Sequence, residues 1–195
     1  MNTVLSIYVT LMSVIFAGAL NMLLTKTKFY CSNHNPIDAG KSFIDGKRIF
    51  GDNKTWKGFF GMIVCGAVSQ TIWGAVCAMS ESLMSLNRMY KFFPNCFAVN
   101  FAAGILFGFA YVLFELPNSF IKRRVGIVPG KIGKGWIGVL FFVVDQIDSL
   151  LGVVLVLSFM CDLSFGEYWL YILFGFFTHI AVNLILYALK IRKNI

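Results

Sequence analysis

Five stretches of predominantly apolar residues determine what this chain can fold into. A membrane helix needs about 20 such residues to cross the hydrocarbon core. The composition agrees, since 58% of the residues are hydrophobic and only 13% are charged. No stretch alternates apolar and polar residues as a half-buried strand would. The sequence therefore predicts an all-α integral membrane protein, residues 1–195 forming a single domain, with about five transmembrane helices at 4–24, 58–79, 97–116, 137–160 and 168–189.

The first apolar segment has the position of a signal peptide but not its features. No basic region precedes the segment. Its apolar run also exceeds the roughly 7–15 residues of a signal-peptide core. We therefore expect it to be retained as a transmembrane helix.

Basic residues are concentrated on one side of the predicted helices. The first linker (residues 25–57), the second linker (residues 117–136) and the C-terminal tail hold 15 of the 17 lysines and arginines. Cytoplasmic loops carry such an excess. The sequence therefore predicts a multi-pass protein of the plasma or inner membrane, with the N-terminus outside and the C-terminus in the cytoplasm. The net charge of +8 suits anionic lipid headgroups, whereas no nucleic acid is expected because the sequence predicts no soluble domain to bind one.

The first linker has more structure in its sequence than a simple connection needs, and it runs NPIDAGKSFIDGKRIFGDNKTWKGFFG over residues 35–61. Glycine lets a backbone approach a ligand closely. Lys41, Asn53, Lys54 and Thr55 supply the ammonium, amide and hydroxyl groups that bind a polyphosphate. The segment DNKTWKG enters a predicted helix, whose N-terminus attracts anions. The spacing is not that of a Walker A loop, and a basic loop that only satisfies topology is the alternative.

The second linker, with the two residues before it, runs ELPNSFIKRRVGIVPGKIGKGW over residues 115–136. Pro117 is expected to stop or bend the third membrane helix. If the helix continues, Asn118 and Lys122 share one face, and so do Ser119 and Arg123, because residues four apart are neighbours. Lysine and arginine bind phosphate groups, although topology alone would also account for them.

Two carboxylates, Asp145 and Asp148, lie inside the fourth predicted span, VLFFVVDQIDSLLGVVLVLSF at residues 139–159. A charge near the centre of a membrane helix costs about 2.5–3.5 kcal/mol. Residues three apart share a helix face with their Cβ atoms roughly 5–6 Å apart, and a divalent cation between them would offset their repulsion. Oxygen ligands suit Mg²⁺, so the sequence predicts a Mg²⁺ site, with a second ion, or Mn²⁺ instead, left open. A protonated pair used for packing is the alternative.

These three segments, in this order, resemble the CDP-archaeol synthase family, which belongs with the CDP-diacylglycerol synthases, the membrane cytidylyltransferases of phospholipid biosynthesis. The resemblance covers about residues 35–152. It implies that a lipid phosphate attacks the α-phosphate of CTP to give a CDP-lipid and pyrophosphate. It also implies that Lys54, Thr55, Asn118, Ser119, Lys122, Arg123, Asp145 and Asp148 serve CTP and a divalent metal.

The candidate site combines these residues with Lys41 and Asn53 of the first linker. Lys54, Lys122, Asp145 and Asp148 are the candidate catalytic residues, and the two aspartates are the candidate metal ligands. We expect a polar cavity among the second to fourth helices, walled by the two linkers and open to water and to the cytoplasmic leaflet.

The identity of the lipid stays open at this point. Classical CDP-diacylglycerol synthases are longer, with additional N-terminal helices, and the short chain resembles the archaeal branch. An ester-linked diacyl phosphate and an ether-linked isoprenoid phosphate both remain candidates. So do CTP and dCTP, and the monomer and the homodimer.

A small transporter or channel that uses the two aspartates as a cation or proton site is the alternative function. A transporter needs polar groups along a path through both sides of the membrane. Here the outer linkers, 80–96 and 161–167, carry no cluster comparable to those of the cytoplasmic linkers. A non-catalytic scaffold would leave the carboxylate pair without a role, so the sequence favours the enzyme.

The remaining polar and small residues are expected to be structural. Interhelical hydrogen bonds are predicted for Gln70, Asn100, His179 and Asn183, and helix packing for Gly104 and Gly108. Turn or capping roles are predicted for Asp38, Asp45 and Asp52. The five cysteines show no C-x-x-C spacing and are expected to be unpaired, although Cys96 and Cys161 fall on the same side of the membrane and could pair.

Overall fold

A computed structural model describes residues 3–25, 27, 35–131 and 133–189 of the protein. In this part of the chain the regular secondary structure is helical, and two isolated β-bridges lie in the first linker and at the start of the second membrane helix. Five helices there are long and apolar enough to cross a membrane. The predicted all-α membrane fold is therefore confirmed. The helices are α1 (Thr3–Leu24), α2 (Trp56–Ala78), the short α3 (Glu81–Leu86), α4 (Phe97–Arg124), α5 (Gly135–Cys161) and α6 (Phe165–Ala188), with a 3₁₀ turn at Arg88–Lys91 between α3 and α4.

Local capping signals fix where two of the long helices begin. The Thr55 hydroxyl accepts a hydrogen bond from the Gly58 N–H at 3.1 Å, which satisfies one free donor at the start of α2. Ser164 and Glu167 form a reciprocal capping box at the start of α6. Both helices start within three residues of the start of the predicted span. Hydropathy locates the apolar span, whereas the capping residue determines where the helix begins.

The end of α4 lies beyond the predicted end of the span at residue 116. The helix does not stop at Pro117 but continues through it to Arg124. Proline has no N–H to donate to the Leu113 carbonyl, yet one missing bond is tolerated where neighbouring groups can satisfy the carbonyl. The continuation turns a segment predicted as linker into helix, and it places Asn118 and Lys122 on one face of α4.

Glycines allow α2 and α4 to cross with their backbones in contact. A Cβ atom on Gly104 would lie 2.4 Å from the Gly66 carbonyl oxygen, and one on Gly108 would lie 2.6 Å from the Met62 carbonyl oxygen. Small residues allow membrane helices to approach this closely. In lipid, van der Waals packing between the helices stabilises their association, because the hydrophobic effect does not act between them. The packing role predicted for Gly104 and Gly108 is confirmed.

Buried polar side chains join the helices at several levels. Gln70 of α2 donates to Asn100 of α4 at 3.1 Å, as predicted. The Trp73 indole N–H donates to the Val9 carbonyl of α1 at 2.9 Å. These bonds satisfy groups that lipid cannot, and so they fix α1 and α4 against α2.

The described cysteines are unpaired. Cys65, Cys77, Cys96 and Cys161 are all free thiols, so the open pairing of Cys96 with Cys161 does not occur. Cys31 and the basic residues of the C-terminal tail lie outside the described residues.

The first linker is organised around one buried carboxylate, Asp38. Its oxygens accept hydrogen bonds from the backbone N–H groups of Gly40, Phe50 and Gly51 and from the Arg48 guanidinium. Burial alone would raise the pKa of Asp38, but Arg48 and the three N–H donors hold that pKa well below its ordinary value. The predicted turn role is thus confirmed, and the carboxylate also gives the linker a defined shape.

Both linkers meet at the C-terminal end of α4. The Lys47 ammonium donates to the Arg124 carbonyl at 2.6 Å, and the Arg124 guanidinium donates to the Arg48 carbonyl at 2.9 Å. Gly51, at φ +101°, lies so close to Pro129 of the second linker that a Cβ would come within 2.6 Å of the proline ring. The first linker therefore packs on both α4 and the second linker, and the three together wall one end of the bundle.

Candidate active site

Asp145 and Asp148 point from α5 toward α4, where one amide joins them. The Asn118 side-chain N–H₂ donates to Asp145 Oδ1 and to Asp148 Oδ2, at 2.6 Å each. The Lys122 ammonium contacts both oxygens of Asp145 at 2.5 Å, and the Ser149 N–H donates to Asp148 Oδ1 at 2.6 Å. The two carboxylates thus face a common point, and the predicted pairing of Asn118 with Lys122 on one helix face brings both to it.

A second lysine–carboxylate pair lies beside the first. The Lys54 ammonium of the first linker forms a salt bridge with Glu115 of α4. Burial alone would lower the pKa of Lys54, but the charge and hydrogen bond of Glu115, followed by the charges of Asp148 and Asp145, raise it. Lys54 is therefore a permanent cation in the site. With Lys122 it gives the site two ammonium groups facing three carboxylates.

These groups line a cavity of about 430 Å³, within the size range of ligand sites. It is walled by the first linker, the second linker, α4 and α5, and also by Met22 of α1 and by His179 and Asn183 of α6. The polar cavity walled by both linkers agrees with the prediction. The expected contribution of the second membrane helix was wrong, because the lining residues come from α1, α4, α5 and α6 and none from α2.

Most of the predicted site residues line this cavity. Those that do are Asn53, Lys54, Asn118, Ser119, Lys122, Arg123, Asp145 and Asp148. Two do not. Thr55 uses its hydroxyl to cap α2, and Lys41 is exposed on the first linker and is not among the lining residues. The sequence shows which residue types a linker offers, but not which way a turn directs them.

Glu115, His179 and Asn183 are among the lining residues that were not predicted as site residues. Glu115 precedes Asn118 by three residues and Lys122 by seven, so helical spacing could have placed it on the same face of α4. The prediction of interhelical bonds for His179 and Asn183 holds, since His179 Nδ1 lies 3.0 Å from the Gln146 carbonyl oxygen and the Asn183 amide donates to Gln146 Oε1 at 2.7 Å. His179 and Asn183 lie beside the aspartates because α6 packs on α5. The spacing of residues along the sequence does not show this packing.

The donor set suits a hard divalent cation. Asp145 and Asp148 offer carboxylate oxygens, and the Asn118 amide oxygen is buried without a hydrogen-bond partner. The orientation of an amide group is assigned from its hydrogen bonds, so rotation of Asn118 would direct this oxygen at the point that the two aspartates share. The described residues contain no group of three His, Cys, Asp or Glu side chains that could hold a metal. Mg²⁺ needs no such group, since it takes one or two carboxylates and completes its shell with water and substrate phosphates.

An apolar cavity adjoins the polar one. It has a volume of about 70 Å³ and lies between α1, α4, α5 and α6, lined by residues such as Leu11, Ile15 and Leu186. Met22, Tyr111, His179 and Asn183 line both cavities. The site therefore joins a charged space at the linker end to an apolar space within the helices.

Comparisons with known proteins agree with this arrangement. The family model described as "CarS-like: CDP-archaeol synthase" matches residues 4–195. The CDP-archaeol synthase of Archaeoglobus fulgidus is 32% identical over 168 residues, which are 81% of this chain and 82% of that protein. That of Methanoculleus marisnigri is 34% identical over 136 residues, 70% of this chain and 68% of that protein.

A solved structure shares the fold. It is described as an intramembrane enzyme for archaeal membrane lipid biosynthesis, and it superposes with a TM-score of 0.60 at 20% identity, covering 91% of this chain and 92% of its own. Since the family model spans nearly the whole chain and the two named relatives exceed 30% identity, the chain belongs to the CDP-archaeol synthase family.

Proposed function

We propose that this protein transfers the cytidylyl group of CTP to a lipid phosphate, forming a CDP-lipid and releasing pyrophosphate. Family membership confirms the predicted enzyme class, a CTP-dependent cytidylyltransferase of membrane lipid biosynthesis, and does not support the alternative of a transporter or channel. The observation that carries the proposal is the single cavity in which Lys54, Lys122, Asp145 and Asp148 meet beside an apolar space.

The cations of the cavity bind the triphosphate. Lys54 and Lys122 supply ammonium groups, and Arg123, which also lines the cavity, supplies a planar guanidinium suited to phosphate oxygens. Before substrate arrives, Glu115 holds Lys54 and Asp145 holds Lys122. CTP binding exchanges these carboxylates for phosphates, so the lysines contact the nucleotide from positions that are already set.

The carboxylates hold the metal that accompanies CTP. Asp145 and Asp148 bind a divalent cation, for which we propose Mg²⁺, with Asn118 oriented between them. When bound, the ion neutralises phosphate charge and polarises the α-phosphate. A second ion, and Mn²⁺ in place of Mg²⁺, remain alternatives.

The lipid enters from the membrane side. The apolar cavity reaches the polar one at Met22, Tyr111, His179 and Asn183, so a lipid can place its phosphate near the aspartates while its chains extend into the membrane. The names of the relatives specify archaeol as the lipid part of their product, and we propose an ether-linked isoprenoid glycerol phosphate as the substrate here.

The orientation in the membrane follows from the charges of the linkers. The site lies at the end of the bundle formed by the two basic linkers, and the positive-inside rule makes that end cytoplasmic. The N-terminus is then outside, and the lipid phosphate comes from the cytoplasmic leaflet of the plasma membrane. A single domain over residues 1–195 stays a prediction, and the monomer and the homodimer stay alternatives.

One incubation tests the proposal. Purified protein is supplied with labelled CTP, Mg²⁺ and, separately, an ether-linked isoprenoid glycerol phosphate and an ester-linked diacylglycerol phosphate. We expect a labelled CDP-lipid with the ether lipid and less or none with the ester lipid. Failure to form a CDP-lipid from any lipid phosphate would contradict the function, whereas preference for the ester lipid would contradict only the proposed substrate.

A further inference from the structure

The hydrogen bond of His179 engages one of its two ring nitrogens and leaves the other available. Nδ1 lies 3.0 Å from the backbone carbonyl oxygen of Gln146. A carbonyl oxygen can only accept, so Nδ1 carries the proton. In the neutral ring Nε2 is then an unprotonated acceptor.

A second hydrogen bond to Gln146 holds the segment of α6 that carries His179 against α5. The Asn183 amide, one turn along α6, donates to Gln146 Oε1 at 2.7 Å. Gln146 is 2% exposed and Asn183 is 3% exposed, so the bond is shielded from water. Gln146 lies between Asp145 and Asp148 on α5. The imidazole is therefore fixed relative to the turn of α5 that carries the aspartates.

His179 lies where the polar and apolar cavities meet. On the proposed function, a lipid with its chains on the apolar side and its phosphate at the reacting groups passes this point. On the proposed function Asp145 and Asp148 hold the ion, and His179, which lines both cavities, lies beside the path of the lipid phosphate.

The fraction of the lipid phosphate that arrives protonated needs a proton acceptor. A phosphate monoester keeps its second proton until about pH 6, and so part of the lipid phosphate arrives as a monoanion. In the CDP-lipid this phosphate is part of a diphosphate that is substituted at both ends. Its remaining hydroxyl is strongly acidic, so the proton must be lost.

Other ionisable groups of the cavity are occupied or already protonated. They are Asp145 and Asp148 on α5, Tyr111, Glu115, Lys122 and Arg123 on α4, and Lys54 and Lys131 on the linkers. The lysines and the arginine are cations that can only donate. The carboxylates bind Lys54, Lys122 and Asn118 and, on the proposed function, the metal. The Nε2 of His179 is the neutral nitrogen acceptor that this lining offers.

We propose that His179 is a catalytic residue that accepts the P–OH proton of the lipid phosphate through Nε2. This inference rests on the proposed function. The proton moves from the lipid phosphate to Nε2, and the freed oxygen forms a bond to the α-phosphorus of CTP. The bond from the α-phosphorus to the bridging oxygen breaks, and its electron pair leaves with pyrophosphate. The imidazolium then releases its proton to the pyrophosphate or to water in the cavity.

The test varies the acidity of the lipid headgroup. A lipid phosphonate with CH₂ in place of the ester oxygen holds its second proton more tightly than the phosphate, and the CF₂ analogue holds it more loosely. His179→Asn keeps an amide N–H where Nδ1 donates to Gln146 but removes Nε2. We expect this variant to lower kcat by about 10²-fold with the CH₂ phosphonate, the usual contribution of a general base, and by far less with the CF₂ phosphonate.

Two controls separate proton transfer from packing. Asn183→Ala breaks the other bond to Gln146 and should lower kcat by the same factor with both phosphonates. Binding of Mg²⁺ and CTP shows that each variant is folded, and His179→Gln replaces His179→Asn in the comparison if the latter does not bind. An equal loss with both phosphonates for the histidine variant, or no loss with the CH₂ compound, overturns the inference. If the wild type itself makes no CDP-lipid, the proposed function fails instead.

Discussion

Lysines and carboxylates of the site form two ion pairs. Lys54 is paired with Glu115, and Lys122 is paired with Asp145. A charge buried without a partner is costly in a membrane, so these pairs allow the site to exist before CTP arrives. On the proposed function, Mg²⁺ and CTP bind together, because Mg²⁺ at Asp145 frees Lys122 for the phosphates and CTP at Lys122 frees Asp145 for the ion.

The two lysines should be essential for activity. Lys54→Ala and Lys122→Ala each remove a phosphate-binding cation, and we expect kcat/KM for CTP to fall by roughly 10²-fold or more, as when one group that stabilises transition-state charge is lost. Steady-state kinetics on purified variants measure this. Lys91→Ala, at the opposite end of the bundle, is the control and should act nearly as wild type. Equal damage from Lys91→Ala would place the site elsewhere.

Among the structural elements, the first linker depends on Asp38 for its shape. Asp38→Asn removes the charge that Arg48 and three N–H groups contact, and leaves the partly exposed Arg48 with Asp52 as its remaining carboxylate partner. We expect local opening of residues 36–55 to become easier by about 1–3 kcal/mol, with weaker CTP binding. Hydrogen exchange of the linker amides measures the change, and unaltered exchange would show that Asp38 does not organise the linker.

The same carboxylate sets how the linker responds to acid. Because folding lowers the pKa of Asp38, its contribution to stability is complete above the ordinary value of 3.8 and is lost as the pH falls through the lower folded value. Linker exchange protection from Asp38 should thus be constant from neutral pH down to about that ordinary value, and should decline only below it. A decline near pH 6 would assign the effect to another group.

The crossing of α2 and α4 should tolerate no side chain at Gly104. Gly104→Ala places a Cβ against the backbone of Gly66 and Ala67, and overpacking of this kind costs about 1–3 kcal/mol. Gly166→Ala, whose Cβ would meet nothing within 4 Å, is the matched control. The thermal midpoint of detergent-solubilised protein should fall for Gly104→Ala and stay within error for Gly166→Ala. Similar midpoints would mean that the helices cross differently.

Sequence patterns predicted the elements better than their mutual positions. Hydropathy located the five spans because each must cover the same hydrocarbon thickness. It could not show that α4 continues past Pro117, since the cost of one lost hydrogen bond depends on what surrounds it. For the same reason Asp145 and Asp148 were found from their cost in a membrane, whereas His179 needed the contact between α5 and α6 to be known.

At the scale of the whole molecule, the proposed topology can be tested with a native cysteine. Cys96 is exposed and precedes α4 at the end opposite the linkers, whereas Cys65, Cys77 and Cys161 are buried. In a Cys31→Ser background, a membrane-impermeant maleimide should label intact cells at Cys96. In the same background with Cys96→Ser and Lys57→Cys, labelling should require permeabilised cells. The reverse pattern would invert the protein and place the site outside.

The most direct test of the whole account concerns the two aspartates of α5. Labelled CTP, Mg²⁺ and an ether-linked isoprenoid glycerol phosphate are supplied to the wild type, to Asp145→Asn, to Asp148→Asn, and to Asp162→Asn as a matched control at the other end of the bundle. The account predicts that each α5 variant is expressed at an ordinary level, forms no CDP-lipid and loses metal-dependent CTP binding, while Asp162→Asn is active. Near-normal turnover of either α5 variant at ordinary Mg²⁺ would contradict the account, since that aspartate would then be no metal ligand.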